Sequence, residues 1–214
     1  MVILTPALKE WFAHKGWKPR PHQLSMVEAF HKNQSTLLIA PTGGGKTMAG
    51  FLASLIDIST QETTGLHTLY ISPLKALTND IERNLTGPIA HMQLPITVES
   101  RTGDTPSHKR VRQRKKPPHI LLTTPESLML MLSYADAQDI FGKLKLVIID
   151  EVHSFAPTKR GDFTALALAR LHYLAPQHVR FGLSATVAEP ELLASWLGRT
   201  GEPAHIIEAR QHVM

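Results

Sequence analysis

The sequence predicts an α/β fold in which a mostly parallel central sheet carries helices on both faces. Two observations lead there. Short β-branched or apolar runs alternate with longer amphipathic stretches, the pattern of repeated βαβ units. The runs "LLIA" at Leu37–Ala40 and "LVIID" at Leu146–Asp150 are apolar without alternation, as central strands covered on both faces are.

In chain order, a helix at Gln23–Lys32 leads to a strand at Thr36–Ala40 and a helix at Lys46–Ile58. A strand at Thr68–Ser72 precedes a helix at Leu74–Asn84, and a strand at Thr97–Arg101 precedes a helix at Thr105–Arg114. For that last helix Thr105 is the expected cap, Pro106 the first-turn residue and Pro117-Pro118 the stop. The strand Ile120–Thr123 and helix Glu126–Leu132 follow, the Met and Leu stripe at Leu128–Leu132 reading as helix core. The strand Leu146–Asp150, helix Asp162–Leu174, strand Val179–Ser184, helix Pro190–Leu197 and strand His205–Glu208 complete the set. Ligands bind such sheets outside the carboxyl ends of the strands, so the chemistry is expected there.

At about 100–200 residues per domain, 214 residues make one domain with a sizeable core. A content of 43% apolar and 19% charged residues excludes a disordered tail. The longest apolar runs fall short of the ~18 residues a membrane span needs. The first ten residues lack a basic segment followed by an apolar one, and there is no cysteine, so disulfides and thiolate chemistry are excluded and a cytoplasmic location is expected. None of the 12 histidines has metal-ligand spacing. Lys109, Arg110, Arg112, Arg114, Lys115 and Lys116 carry the excess behind the net charge of +5, since the rest holds 17 basic against 18 acidic residues. That segment reads either as a solvated helix face or as a contact for a nucleic-acid backbone, with Arg110 and Arg112 the better candidates.

Directly after the strand Thr36–Ala40 comes "APTGGGKT" at Ala40–Thr47, a phosphate-loop pattern with Ala40 in place of the first glycine. Gly43, Gly44 and Gly45, with Thr42 before them, let backbone N–H groups turn inward around phosphate oxygens. Lys46 then reaches the β and γ phosphates and Thr47 ligates Mg²⁺. The alternative is a plain glycine turn, which the Lys-Thr pair and flanking strand and helix disfavour.

"DEVH" follows the second solid strand. Asp150 at that strand's end suits holding Mg²⁺ through water, and Glu151 suits a general base toward the attacking water. Alone, the pair reads equally well as a helix-capping cluster; the phosphate loop upstream favours hydrolysis.

The loop "APTGGGKT", the box "DEVH" and "SAT" at Ser184–Thr186 resemble, in order and spacing, the main motifs of superfamily 2 DEAD/DEAH-box-like helicases. "GWKPRPHQ", "SPLKAL", "TTPESL" and "DEVH" are similar to the large helicase-related (Lhr) family. Within it, "GLHTLYISPLKALTNDIERNL", "RTGDTP" and "LSATVAEPELLASWLG" resemble the branch associated with bacterial ATP-dependent DNA ligases. Nearly the whole chain is covered.

The resemblance implies a RecA-like phosphate-loop NTPase domain at 36–210, preceded by a segment 1–35 that packs on it and carries the adenine-recognition motif. The second RecA-like domain and the C-terminal domains of the family have no counterpart in these 214 residues. It implies that Gln23 recognises adenine, with Arg20 and Trp17 bracing or stacking, so that ATP is favoured over GTP. It implies that His153, Ser184 and Thr186 couple nucleotide state to movement. Pro73, Leu74 and Lys75, the turn Arg101, Thr102, Gly103 and Asp104, and Thr123, Thr124, Pro125 and Glu126 become a track along one nucleic-acid strand. The implied activity is an ATP-dependent helicase moving 3′ to 5′ on single-stranded DNA in a repair setting, with a ligase and an associated nuclease as partners. RNA, RNA–DNA hybrids and a phosphate-loop switch that does not translocate are the alternatives.

Overall fold

The computed structural model describes residues 2–156, 158–199 and 201–209, so the expected domain boundary at Arg210 lies outside the described residues. Thr5 accepts the Leu8 N–H at 3.4 Å and opens α1 (Pro6–His14), which buries Leu8, Trp11 and Phe12 at i, i+3 and i+4. The sequence pattern alone predicts no helix there, because nine residues hold too few repeats to establish a period. α2 (Pro21–His31), β1 (Thr36–Ile39), α3 (Lys46–Thr60) and β2 (Thr68–Ile71) follow the expected order.

α4 (Lys75–His91) runs seven residues past its expected end, through Pro88. A proline inside a helix costs about 3 kcal/mol. Ile81, Leu85 and Ile89 recur at i, i+4 and i+8 and are all buried, and at about 1.5–3 kcal/mol each their burial outweighs the lost hydrogen bond. Next come β3 (Val98–Arg101) and α5 (Ser107–Lys115). Thr105 does not cap α5: its Oγ1 accepts the Thr102 N–H at 2.9 Å, and the helix starts beyond Pro106, whose ring keeps the preceding residue out of helical conformation.

β4 (Ile120–Thr123), α6 (Pro125–Leu132), the five-residue α7 (Ala137–Phe141), β5 (Leu146–Ile149), α8 (Lys159–Leu174), β6 (Val179–Ser184), α9 (Pro190–Leu197) and β7 (His205–Glu208) complete the chain. The seven strands form one parallel sheet in the order β3-β4-β2-β5-β6-β1-β7. Alternate residues of each central strand enter opposite cores. Leu38 and Ile148 join Trp11, Met26, Phe51 and Leu85 on one face, while Leu37 and Ile149 join Leu128, Ile140, Leu168 and Leu193 on the other. No helix among the described residues is long and apolar enough to cross a membrane.

The amino-terminal end of the sheet carries a buried polar cluster. Asp57 Oδ2 lies 2.8 Å from both His67 Nε2 and Lys145 Nζ. Burial pushes the Asp57 carboxyl up, and the bonds from His67 and Lys145 more than offset it, holding the group at about 2. His67 is fully buried.

Candidate active site

The phosphate loop begins where β1 meets β6: the Ala40 N–H donates to the Ser184 carbonyl at 3.1 Å. Gly43 and Gly45 adopt φ of +74° and +76°, values that glycine reaches without the Cβ penalty. A Cβ on Gly44 would stand 2.7 Å from the Pro41 carbonyl oxygen, and one on Gly45 would stand 2.8 Å from Gln23 Nε2. The loop is therefore a bare-backbone cradle of the kind phosphate oxygens require. Lys46 Nζ spans it, donating to the Ala40 carbonyl at 3.0 Å. Thr42 is exposed at the rim, and Thr47 is half-buried in the first turn of α3.

The start of α2 grips this loop from the side. Arg20 Nη1 donates to the Gly43 carbonyl at 3.3 Å, His22 Nε2 donates to the Gly44 carbonyl at 2.9 Å, and Gln23 Nε2 donates to the Gly45 carbonyl at 3.3 Å. Three successive carbonyls are held by three neighbouring side chains. Burial, assisted by the Arg20 charge and opposed by the Gly44 bond, holds His22 below its ordinary pKa. The ring is then neutral near pH 7, and a carbonyl partner fixes its proton on Nε2. Gln23 is 5% exposed, and its Oε1 accepts the Arg20 N–H at 2.9 Å, closing half of a capping box. Both ends of the Gln23 amide are thus engaged within the chain. Trp17, by contrast, is 58% exposed and meets the Trp11 ring edge-on.

At the end of β5 the Asp150 N–H donates to the Ile71 carbonyl at 2.9 Å. Its side chain is held twice: Tyr70 Oη donates to Oδ2 at 2.5 Å, and the Glu151 N–H donates to Oδ1 at 3.0 Å. Burial, followed by the Asp150 charge, pushes the Tyr70 hydroxyl well above its ordinary pKa, so it remains a donor. Glu151 has φ +50°, a left-handed conformation costing a non-glycine residue about 1–3 kcal/mol and concentrated at functional sites. His153 bridges onward, its Nε2 3.4 Å from Glu151 Oε2 and its Nδ1 3.0 Å from Ser184 Oγ. Ser184 is buried at the end of β6, and Thr186 is exposed beyond it.

The expected strand track lies on the other half of the sheet, at the ends of β2, β4 and β3. Its turns are tied together. Lys75 Nζ donates to both Asp104 carboxylate oxygens at 3.0 and 3.1 Å, and Thr123 Oγ1 donates to the Arg101 carbonyl at 2.7 Å. Leu74 and Gly103 are exposed, Pro73 is half-buried, and Thr102, Thr124 and Pro125 are buried. Several charged members face inward or are paired. Arg101, 3% exposed, donates to the Arg110 carbonyl and to Tyr134 Oη, supporting its turn from beneath instead of presenting its guanidinium to a strand. Arg110 folds back on the carbonyls of Thr105 and Gly103, and Arg112 pairs with Glu99 at 2.6 Å.

Glu126 is engaged by Arg160, a residue the sequence analysis passed over. Arg160 binds both Glu126 oxygens at 2.7 and 3.0 Å, donates to the Pro73 carbonyl at 2.6 Å and sits over the Phe155 ring. His22 and Tyr70 were also missed. His22 had a signal in its position inside "RPHQ"; Tyr70 and Arg160 had none, since a strand residue and a helix-start residue meet their partners only through the fold.

A family model described as DEAD/DEAH box helicase matches residues 20–193. An ATP-dependent helicase Lhr-Core protein 2 of Thermococcus barophilus is 40% identical over 210 residues, covering 91% of this chain and 24% of that protein. An Lhr helicase/probable uracil glycosylase of Mycolicibacterium smegmatis is 44% identical over 203 residues, covering 88% of this chain and 13% of its own length. The structure of Mycobacterium smegmatis helicase Lhr bound to ssDNA and AMP-PNP superposes with a TM-score of 0.89 at 40% identity, over 97% of this chain and 28% of the other. DUF1998 helicase MrfA bound to DNA and AMPPNP gives 0.84 at 27% identity, over 96% and 29%. The chain therefore spans under a third of each relative.

Proposed function

We propose, for a chain that belongs to the DEAD/DEAH box helicase family, that it is the nucleotide-binding first RecA-like motor domain of an ATP-dependent DNA helicase related to the Lhr helicases. One observation carries the reading. The sheet order puts the phosphate loop, "DEVH" and "SAT" on the adjacent strands β1, β5 and β6, and the three candidate strand-contacting turns on the adjacent strands β2, β4 and β3. A nucleotide site and a strand ridge then share one edge, β2 against β5.

The residue roles follow from chemistry. Thr42, Gly43, Gly44 and Gly45 cradle the phosphates with backbone N–H groups, and the start of α3 adds its positive end. Lys46 exchanges the Ala40 carbonyl for the β and γ phosphates. Arg20 and Gln23, already on the loop, receive the adenine. Glu151 accepts the proton of the attacking water, with His153 holding its carboxylate and reporting to Ser184 and Thr186. The donor set fits Mg²⁺: Thr47 would hold it directly and Asp150 through water, and it would neutralise charge on the phosphate oxygens. Pro73, Leu74, Lys75, Thr102, Gly103, Asp104, Thr123, Thr124, Pro125 and Glu126 form the backbone-reading ridge, which Arg101, Arg110 and Arg112 brace or extend. Such contacts carry no base identity.

The finer reading is 3′ to 5′ movement on single-stranded DNA, in the cytoplasm and in DNA repair. It belongs to the branch associated with an ATP-dependent ligase and nuclease, and needs a second RecA-like domain to complete the ATPase. The domain reading is residues 36–210 as the ATP-binding body with 1–35 packed on it. Strand displacement by the chain joined to a second RecA-like domain, on DNA, RNA and hybrid duplexes, tests it. Unwinding of DNA that Glu151→Gln abolishes supports the proposal. RNA-selective unwinding shifts it to an RNA helicase. Nucleotide binding with no dependence on nucleic acid shifts it to a switch domain.

A further inference from the structure

Tyr70 is a fully buried residue in the third position of β2, the strand that ends in the first candidate strand-contacting turn. Its ring stacks on Phe51 of α3, the helix that continues the phosphate loop, with centroids 5.3 Å apart and planes 30° apart. Its hydroxyl donates to Asp150 Oδ2 at 2.5 Å. The opposite oxygen, Oδ1, accepts the Glu151 N–H, and the Asp150 N–H is fixed on Ile71. The carboxylate thus has one donor on each oxygen, which sets its plane and leaves the remaining lone pairs for ligands. A carboxylate left to rotate would have to be ordered at the moment of binding.

We infer that Tyr70 is a positioning residue for the metal-dependent part of nucleotide binding: its hydroxyl fixes Asp150 in the orientation that holds Mg²⁺ beside the phosphates. The inference rests on the proposed nucleotide site. It assigns Tyr70 no contact with nucleotide, metal or nucleic acid. Groups that orient a metal-holding side chain are worth about 10–100-fold in metal affinity. Phe51 packs the Tyr70 ring against the phosphate-loop helix, so one side chain touches both that helix and the acidic box.

The test is AMP-PNP affinity of the 214-residue chain, measured once with EDTA and once with saturating Mg²⁺. The ratio of the two affinities is the readout. For Tyr70→Phe, which keeps the ring on Phe51, the EDTA affinity is expected to stay at the wild-type value and the ratio to fall about tenfold or more. Phe51→Leu, which disturbs the same packing but keeps the hydroxyl, is expected to retain the wild-type ratio. An unchanged ratio in Tyr70→Phe overturns the inference. So does a parallel loss of both affinities, or an equal loss of ratio in Phe51→Leu, because either makes the role one of packing. A wild-type chain with no Mg²⁺-dependent gain overturns the nucleotide-site reading and this inference with it. An intact wild-type gain with an unaffected Tyr70→Phe variant overturns this inference alone.

Discussion

Replacing His22 by Ala removes one of the three side chains that hold the phosphate loop, and the structure sets the size of the effect. The bond from Nε2 to the Gly44 carbonyl is 2.9 Å long, while Arg20 and Gln23 still hold the adjoining carbonyls at 3.3 Å. A neutral hydrogen bond of this kind contributes about 1 kcal/mol net. If that energy is spent on holding the cradle in its phosphate-ready form, its loss lowers ATP affinity by a factor of about 5. A fluorescent ATP analogue titrated into both proteins at pH 7.5 measures this. Because burial holds the His22 pKa below its ordinary value of about 6.5, a released ring takes up a proton more readily than the held one, and the factor should shrink as pH falls from 7.5 to 5.5. Gly43, Gly44 and Gly45 should also exchange their amide hydrogens faster in His22→Ala. Equal affinity in the two proteins, with unchanged exchange at the glycines, would refute the view that α2 preorganises the loop.

Other consequences are as direct. Arg160→Ala releases Glu126 and the Pro73 carbonyl together, so affinity for labelled single-stranded DNA by fluorescence anisotropy should fall several-fold, and Arg160→Lys should not restore it because an ammonium lacks the planar fork. Asp57 is held at about 2, below the ~4 of an unfolded chain, so its stabilisation is present above about pH 4 and disappears as pH falls through about 2. Urea midpoints of wild type and Asp57→Asn should therefore differ clearly at pH 7 and converge on acidification; a gap that widens toward pH 2 contradicts the assignment. The chain alone should hydrolyse ATP about 10³–10⁵-fold more slowly than when joined to a second RecA-like domain that supplies arginines to the transition state. Vigorous DNA-stimulated turnover by the 214 residues would contradict that dependence.

The sheet was legible in the sequence because its strands are solid apolar runs and parallel pairing needs both faces covered, as Leu37, Leu38, Ile148 and Ile149 illustrate. The loop was legible because phosphate cradling demands glycine, and Gly43 and Gly45 do take positive φ. What stayed hidden was either short or long-range. α1 was hidden by its length, and the end of α4 by Pro88, a breaker that Ile81, Leu85 and Ile89 override through burial. The partners of the basic segment were not legible: Arg110 bonds Gly103 and Thr105 and Arg112 pairs with Glu99, groups that only the fold brings near. Tyr70 and Arg160 act across 80 and 34 residues of sequence on Asp150 and Glu126, distances no local pattern reports.

The measurement closest to the central claim is calorimetric titration of the chain with ATP and Mg²⁺, repeated on Lys46→Ala and Glu151→Gln. A motor-domain ATP site predicts one binding event in the wild type, its loss in Lys46→Ala, and its retention without hydrolysis in Glu151→Gln. Binding that survives Lys46→Ala unchanged, or hydrolysis that survives Glu151→Gln, would contradict it.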